Sequence, residues 1–334
     1  MPPVDRTLAA AAARYRRSGA DRPFGNPRRY HDTALEGYFW RITEPRGGTV
    51  VIVMASVNRD ATGRPWGTVA IAAHPGFAVR DVIADDACGT GSGVGVTITD
   101  GGRMLLDGAD DRLLVDLGGD TRLAVLIEER TRWPRRAFGG IGIGHAVPGL
   151  SQYWHPHLLS GQASGFAVLG GRECDLTGAS VYAEKHWSPT GFPTEWWWGQ
   201  AHGFDDPDVC VAFAGGRIGH GPLRVRATAL AVALGSTVIA AAQPLHPIRT
   251  VLSPGHWQLS ARSARYTIEI EGDANGNVAH RLPIPIAAER RHEPEAAHQH
   301  LAGALRLSVR RGRRLIYRGE SALAGLERGT GASR

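Results

Sequence analysis

Residues 180–204 read SVYAEKHWSPTGFPTEWWWGQAHGF, and this stretch decides how the rest of the chain is understood. It holds four of the nine tryptophans and the only lysine, Lys185, in a chain whose other basic residues are arginine and histidine. Two apolar-aromatic arms flank a Pro/Gly-rich loop, Ser188 to Pro193, which predicts a β-hairpin. Side chains of a strand alternate between faces. Tyr182, Glu184 and His186 therefore share one face, and Ala183, Lys185 and Trp187 the other. On the second arm Trp196, Trp198, Gln200 and His202 share a face, opposite Trp197, Gly199 and Ala201. A face that joins aromatics to a few convergent polar groups has the character of a ligand cavity. The competing reading is simple core, in which each indole N–H finds a local acceptor.

The 334 residues suffice for two modest domains or one large one. With 43% hydrophobic and 21% charged residues the composition is that of a globular protein, and 44 glycines with 20 prolines favour the many turns of an all-β chain. The net charge of +6 is carried by scattered arginine pairs such as Arg16-Arg17 and Arg310-Arg311. No basic helix or aromatic-basic platform accompanies them, so a solvated surface is expected and nucleic-acid binding is not. The three cysteines, Cys88, Cys174 and Cys210, show neither zinc spacing nor a disulfide framework, which fits a reducing compartment. Arg14 soon interrupts the Leu/Ala run near the N-terminus, so no signal peptide is expected there. No stretch approaches the roughly 20 apolar residues of a spanning helix. A soluble, cytoplasmic protein is expected, with peripheral membrane contact left open.

Short strand-like runs punctuated by turns follow one another along the chain, beginning at 35–43, 49–57, 67–73 and 94–99. In the second half they include 151–159, 163–169, 180–187, 196–204 and 209–214. This spacing predicts an all-β protein, and two β-barrels are the simplest arrangement. The Gly-rich crossover Arg130–Gly149 is the expected boundary. It divides the chain into an arm over 1–20, a first β domain over 21–148 and a second over 149–334 that carries the Trp-rich stretch. The only helical period is a weak one over 286–301, which Pro294 interrupts.

Several motifs fail. CGTGSGVGV (88–96) and GGIGIGH (139–145) do not give GxGxxG between a strand and a helix, and no Walker sequence, GxSxG elbow or HExxH helix exists. His155-Pro156-His157 places two imidazoles on one strand face, a spacing that suits a metal. Further ligands at fitting positions are lacking, so cavity-lining or core histidines are expected and no metal. In Leu35–Arg41 the alternation puts Glu36, Tyr38 and Trp40 together. Glu36 is then either a buried, satisfied carboxylate, paired with an arginine that holds the first barrel closed, or an acid whose pKa is raised by burial.

At these blocks the chain resembles the tocopherol cyclase family. Glu36-Gly37-Tyr38-Phe39-Trp40-Arg41 resembles the family's opening strand, and Trp154 to Gly165 its middle block. The strongest likeness is Tyr182, Glu184, Lys185 and Trp187, then Gly191-Phe192-Pro193, then Trp196, Trp198, Gln200 and Phe204. It is dense over 151–217. Tyr153 and His155 depart from the family's residues beside Trp154, and His186 stands where the family has Asn. The resemblance implies two lipocalin-like β-barrel domains and cofactor-independent closure of a ring on a prenylated quinol or other isoprenoid-bearing substrate.

Such a reaction needs an acid still protonated near neutral pH, aromatic faces for a carbocation, and a folded substrate chain. Glu184 is the first candidate acid and Glu36 the second, with His186, His202 or His155 as proton relays. Tyr38, Trp40, Trp154, His155, His157, Tyr182, Trp187, Trp196, Trp198 and Gln200 are the candidate substrate-binding residues. Lys185 either anchors a carboxylate across the barrel or touches the substrate. The rivals are a non-catalytic carrier of hydrophobic ligands and a related pericyclase or isoprenoid hydratase, which need the same cavity.

Overall fold

The structure is a computed structural model describing residues 10, 26–90, 93–134, 138–147, 150–219, 224–263, 265–274 and 276–331. The arm expected over 1–20 lies, but for residue 10, outside these. The described residues are nearly all strand. In chain order these are β1 (Leu35–Glu44), β2 (Thr49–Arg59), β3 (Pro65–His74), β4 (Phe77–Ala84), β5 (Asp86–Gly89), β6 (Val96–Asp100), β7 (Arg103–Gly108) and β8 (Arg112–Asp116). Next come β9 (Thr121–Arg132), β10 (Tyr153–Leu169), β11 (Arg172–Asp175), β12 (Ser180–Ser188), β13 (Trp196–Ala201), β14 (Val209–Ile218) and β15 (Val225–Leu234). The last are β16 (Thr237–Ala242), β17 (Ile248–Ser253), β18 (His256–Ser263), β19 (Tyr266–Asp273), β20 (His280–Ile286), β21 (Arg291–Arg311) and β22 (Arg314–Gly329).

Two antiparallel sheets result. The first runs β4-β3-β2-β1-β12-β10-β9-β8-β7-β6-β5, with β11 on β10; the second runs β16-β15-β14-β13-β22-β21-β19-β18-β17, with β20 on β21. The first curls into a barrel: β5 and β6 come back against β2 and β3, so closely that a Cβ on Gly67 would stand 2.8 Å from Ile98 and 2.9 Å from Ala87. In the second, β16 approaches β18. Each sheet encloses its own apolar core, one around Trp40, Val53, Ile71 and Val125, the other around Trp197, Phe213, Leu259 and Leu307. Strands on the outside alternate strictly, as β18 does. By contrast β13 is buried at every residue, because it has one core on one face and the other sheet on its opposite face.

The Trp-rich stretch is not a hairpin. β12 pairs with β1 and β10 in the first sheet, whereas β13 pairs with β14 and β22 in the second. Both edges of each arm are already taken by other strands, so the Pro/Gly loop crosses from one sheet to the other. The same pairing moves the change of sheet. Strands over 153–188, expected in the second unit, belong to the first sheet, which ends at Ser188 rather than within 130–149. The segments 151–159 and 163–169 join in the single bulged strand β10. The weak helical period over 286–301 is extended instead. After the 3-10 turn Ala287–Glu289 the chain enters β21, where pairing with β20 and β22 outweighs a propensity that Pro294 already weakens.

Candidate active site

The two sheets meet along a seam, and β12 and β13 face each other there. Phe39, Trp154, Leu159 and Tyr182 of the first sheet pack on Trp198, Ala212, Ala229 and Ala231 of the second. A second apolar cluster continues the seam through Ile52, Trp196, Leu282, Ile284 and Leu301. The alternation read for each arm is therefore real, and the two mixed faces come together across the seam between the sheets.

Glu184 sits at the meeting point. Its Oε2 accepts hydrogen bonds from Trp154 Nε1 at 2.7 Å, Tyr182 Oη at 2.5 Å and Trp198 Nε1 at 2.9 Å. All three donors are uncharged, and Phe39 meets the Trp198 ring edge-on at 5.1 Å. Burial pushes the Glu184 carboxyl up, and the donors Tyr182, Trp198 and Trp154 offset part of that rise. Because every donor reaches Oε2, Oε1 is the oxygen left to carry a proton. The indoles fall into two sets by exposure: Trp154, Trp196 and Trp198 keep 5%, 6% and 6%, whereas Trp40, Trp187 and Trp197 keep 1%, 0% and 1%. Glu184 keeps 8%. All of these side chains are buried, and those at the seam are only slightly less so than those inside the sheets. A recess of about 660 Å³ lies elsewhere, on the outer face of β17 to β22 between exposed residues such as Arg249, Glu271 and Arg318, and none of the candidate residues lines it.

The remaining candidates divide between the seam and the first barrel. His186 binds Gln152 Oε1 at 2.5 Å and leans on Phe192 at 5.0 Å; burial holds it down at about 4. His202 reaches the Leu159 carbonyl at 2.9 Å, tying the end of β13 to β10, and burial lowers it to about 4. Gln200 donates to His202 Nδ1 at 3.2 Å, and its Oε1 is buried with no hydrogen-bond partner among the described residues. Among the described residues neither imidazole is hydrogen-bonded to Glu184.

Lys185 points the other way, into the first barrel, and settles there as an anchor. Its ammonium lies 2.7 Å from Glu36 Oε1, over the rings of Tyr38 at 5.5 Å and Trp187 at 5.4 Å, and donates to the Arg29 carbonyl. Tyr38 Oη also donates to Glu36 Oε1, and the His31 N–H donates to Oε2 at 3.0 Å. Glu36 is therefore a cation-held carboxylate, but its cation is Lys185 and not the arginine expected. His31, Trp187 and Tyr153 stack in series at 4.0 Å and 5.3 Å, and Trp40 lies deeper in the barrel. His155 and His157 share this interior, 6.2 Å apart. Burial lowers both, His157 to about 3, and the charge of His157 further lowers His155. Among the described residues no three His, Cys, Asp or Glu side chains are placed to hold a metal ion.

Three buried polar residues escaped the sequence reading. Arg41, fully buried, donates to the Leu301 carbonyl at 2.7 Å and the Leu323 carbonyl at 2.6 Å, so β1 grips both β21 and β22. Glu327 on β22 accepts from Trp196 Nε1 at 2.5 Å and from Gln299 Nε2 at 3.0 Å. A lone acid in the small and apolar run 322–329 was the available signal for Glu327. Gln299 gave none, because it lies in the segment with a helical period.

A β fold of two curled sheets, with a buried acid among indoles where they meet, defines a lipocalin-like protein with a polar cluster buried between its sheets. The sequence profile of the tocopherol cyclase-like family matches residues 142–330, more than half of the chain. The protein belongs to that family. Its fold is similar to that of CghA, crystallised with Sch210972, at a TM-score of 0.59 and 13% identity over 90% of this chain and 89% of that one. It is also similar to an AttH-type protein of Nitrosomonas europaea (TM-score 0.51, 15% identity, 91% and 94% covered). A third likeness is to kievitone hydratase of Nectria haematococca (TM-score 0.50, 12% identity, 90% of each chain). Among the described residues no helix is long and apolar enough to cross a membrane.

Proposed function

We propose that this protein is a cofactor-independent cyclase that closes a ring on a prenylated quinol or a similar isoprenoid-bearing substrate. Glu184 is the acid. Its carboxyl, raised by burial and held by three uncharged donors, is the observation that carries the reading. Transfer of its proton to a trisubstituted alkene gives a tertiary cation, which the faces of Trp154, Trp198 and Phe39 stabilise by up to ~2 kcal/mol or more in a dry site. An internal hydroxyl then attacks the cation and closes the ring. The Ala-rich face of the second sheet is apolar opposite the acid, which supports an isoprenoid chain as the substrate's reacting part.

Incubation of the protein with a prenylated hydroquinone tests this. The expected product has unchanged mass and one hydroxyl fewer, and Glu184→Gln slows its formation by ~10²-fold or more. Undiminished turnover by a folded Glu184→Gln variant removes Glu184 as the acid. One structural relative is named a hydratase, and water could capture the same cation. A product heavier by one water would identify that reaction, and substrate recovered intact from a tight complex would identify a carrier.

A further inference from the structure

Glu327 stands on β22 between Gly325 and Gly329, and alternation puts all three on one face. Across the ladder Gly325 faces Gln200, Glu327 faces Trp198 and Gly329 faces Trp196. A Cβ on Gly325 would stand 3.0 Å from the Trp198 ring and 3.0 Å from Arg41 Nη1, and one on Gly329 would land on the Trp196 ring. The two glycines thus make room for two indoles, and each indole holds one carboxyl: Trp198 holds Glu184 and Trp196 holds Glu327. Other polar groups packed around this cradle are Tyr182 from β12, Arg41 from β1, His202 just past β13, and Gln299 from β21. Arg41 is bound through Nη2 to two carbonyls, and its Nε and Nη1 are buried with no hydrogen-bond partner among the described residues. Among the described residues neither carboxyl has a cationic partner.

We infer that Glu327 is the second carboxyl of this site, paired with Glu184 so that the two hold one proton between them. This deepens the proposed function and rests on it for its catalytic meaning. Two ionised carboxylates in one desolvated seam repel, and with no cation bonded to either carboxyl one proton is retained. Burial pushes Glu327 up to about 7, with the Trp196 hydrogen bond pulling down and the charge of Glu184 pushing further up. Gln299 Oε1, buried and without a hydrogen-bond partner among the described residues, can accept a carboxyl proton from Glu327 once the amide turns over. Both Glu327 oxygens are occupied by protein donors, so it is a positioning residue that acts through Glu184. Ring closure breaks the Glu184 O–H bond as a C–H bond forms, and breaks the substrate O–H bond as the C–O bond forms. The released proton returns to the carboxylate pair, which again holds one proton, and no co-reactant is consumed.

The test is a pH titration of the full chain labelled at glutamate Cδ, followed by NMR in wild type, Glu184→Gln, Glu327→Gln and Trp196→Phe, with near-ultraviolet circular dichroism as the check on folding. Coupling predicts reciprocity. Glu327→Gln moves the Glu184 midpoint to lower pH, Glu184→Gln does the same to Glu327, and Trp196→Phe moves Glu327 to higher pH. A Glu184 signal unmoved in folded Glu327→Gln, or a Glu327 signal unmoved in Glu184→Gln, overturns the pairing. If Glu327→Gln does not fold, the Glu184→Gln comparison decides alone. On a prenylated hydroquinone, Glu327→Gln is expected to lower kcat about tenfold near neutral pH. KM should be unchanged, and activity should return as the pH is lowered. Coupled titrations without turnover in wild type would keep the pair and discard the cyclase. Turnover with independent titrations would do the reverse.

Discussion

Glu36 and Glu184 are both buried glutamates on neighbouring strands of one sheet, at 1% and 8% exposure, yet they live in opposite chemical settings. Glu36 faces the interior of the first barrel and meets an ammonium, a phenol and a backbone N–H. Glu184 faces the seam and meets only neutral donors. An ion pair inside a barrel stabilises a charge and closes the structure around it. A carboxyl among indoles and a phenol keeps the option of a proton. The register that sets Tyr38 opposite Lys185 and Phe39 opposite Glu184 separates these roles with a single-residue step along β12.

Acid is expected to act most strongly, because both regions bury neutral imidazoles. His157 is lowered to about 3 and His186 and His202 to about 4 by burial, so the folded protein keeps them uncharged. Their stabilisation is complete above the unfolded value near 6.5 and is lost as pH falls toward those folded values. Each contributes up to about 2 kcal/mol of that loss between pH 6.5 and 5. Glu327 works in the opposite sense: raised to about 7, it favours folding at low pH and loses that contribution as pH rises through about 7. Urea midpoints measured from pH 8 to 5 should therefore fall, and Glu327→Gln should steepen the fall. A midpoint flat across this range would mean that the imidazoles are solvated.

Lys185→Met breaks the comparison on the barrel side by leaving the Glu36 carboxylate buried without its cation. It should cost about 3–5 kcal/mol in chemical denaturation, and adding Glu36→Gln should recover much of it. Equal stability of the two variants would show that the pair is not coupled. On the seam side Glu184→Gln should change stability little and reduce turnover by ~10²-fold or more. The smallest expected effect is that of Trp154→Phe, which removes one donor from Glu184 Oε2. A loss of about 1 kcal/mol is expected. The alkaline limb of activity should move upward, since a carboxylate with fewer donors holds its proton longer.

Much of the local structure was legible. Period-two burial gave most strands, and it placed Tyr182 with Glu184 and Trp196 with Trp198 on shared faces. The family likeness rests on those same residues. The pairing of strands was not legible. β12 and β13 read as a hairpin because they are adjacent and joined by turn residues, and nothing local indicates that β1, β10, β14 and β22 occupy their edges. Lys185 could be placed opposite Glu184 by alternation, but its attachment to Glu36 depends on the register of β1 against β12. Glu327 stands over a hundred residues from Glu184 in the chain, and only the ladder between β13 and β22 brings it beside the Trp198 indole.

The amino-acid sequence alone determined that the chain is built of short strands, that one arm carries an acid on the same side as a tyrosine, and that the other carries indoles on one side. These are consequences of backbone geometry, in which neighbouring side chains must point apart. The tertiary structure alone decided that the two arms belong to different sheets, that Lys185 neutralises Glu36, and that Glu184 and Glu327 share a desolvated seam. Those outcomes depend on which distant strands bond to each other, and hydrogen-bonding edges are alike in every strand until packing selects among them.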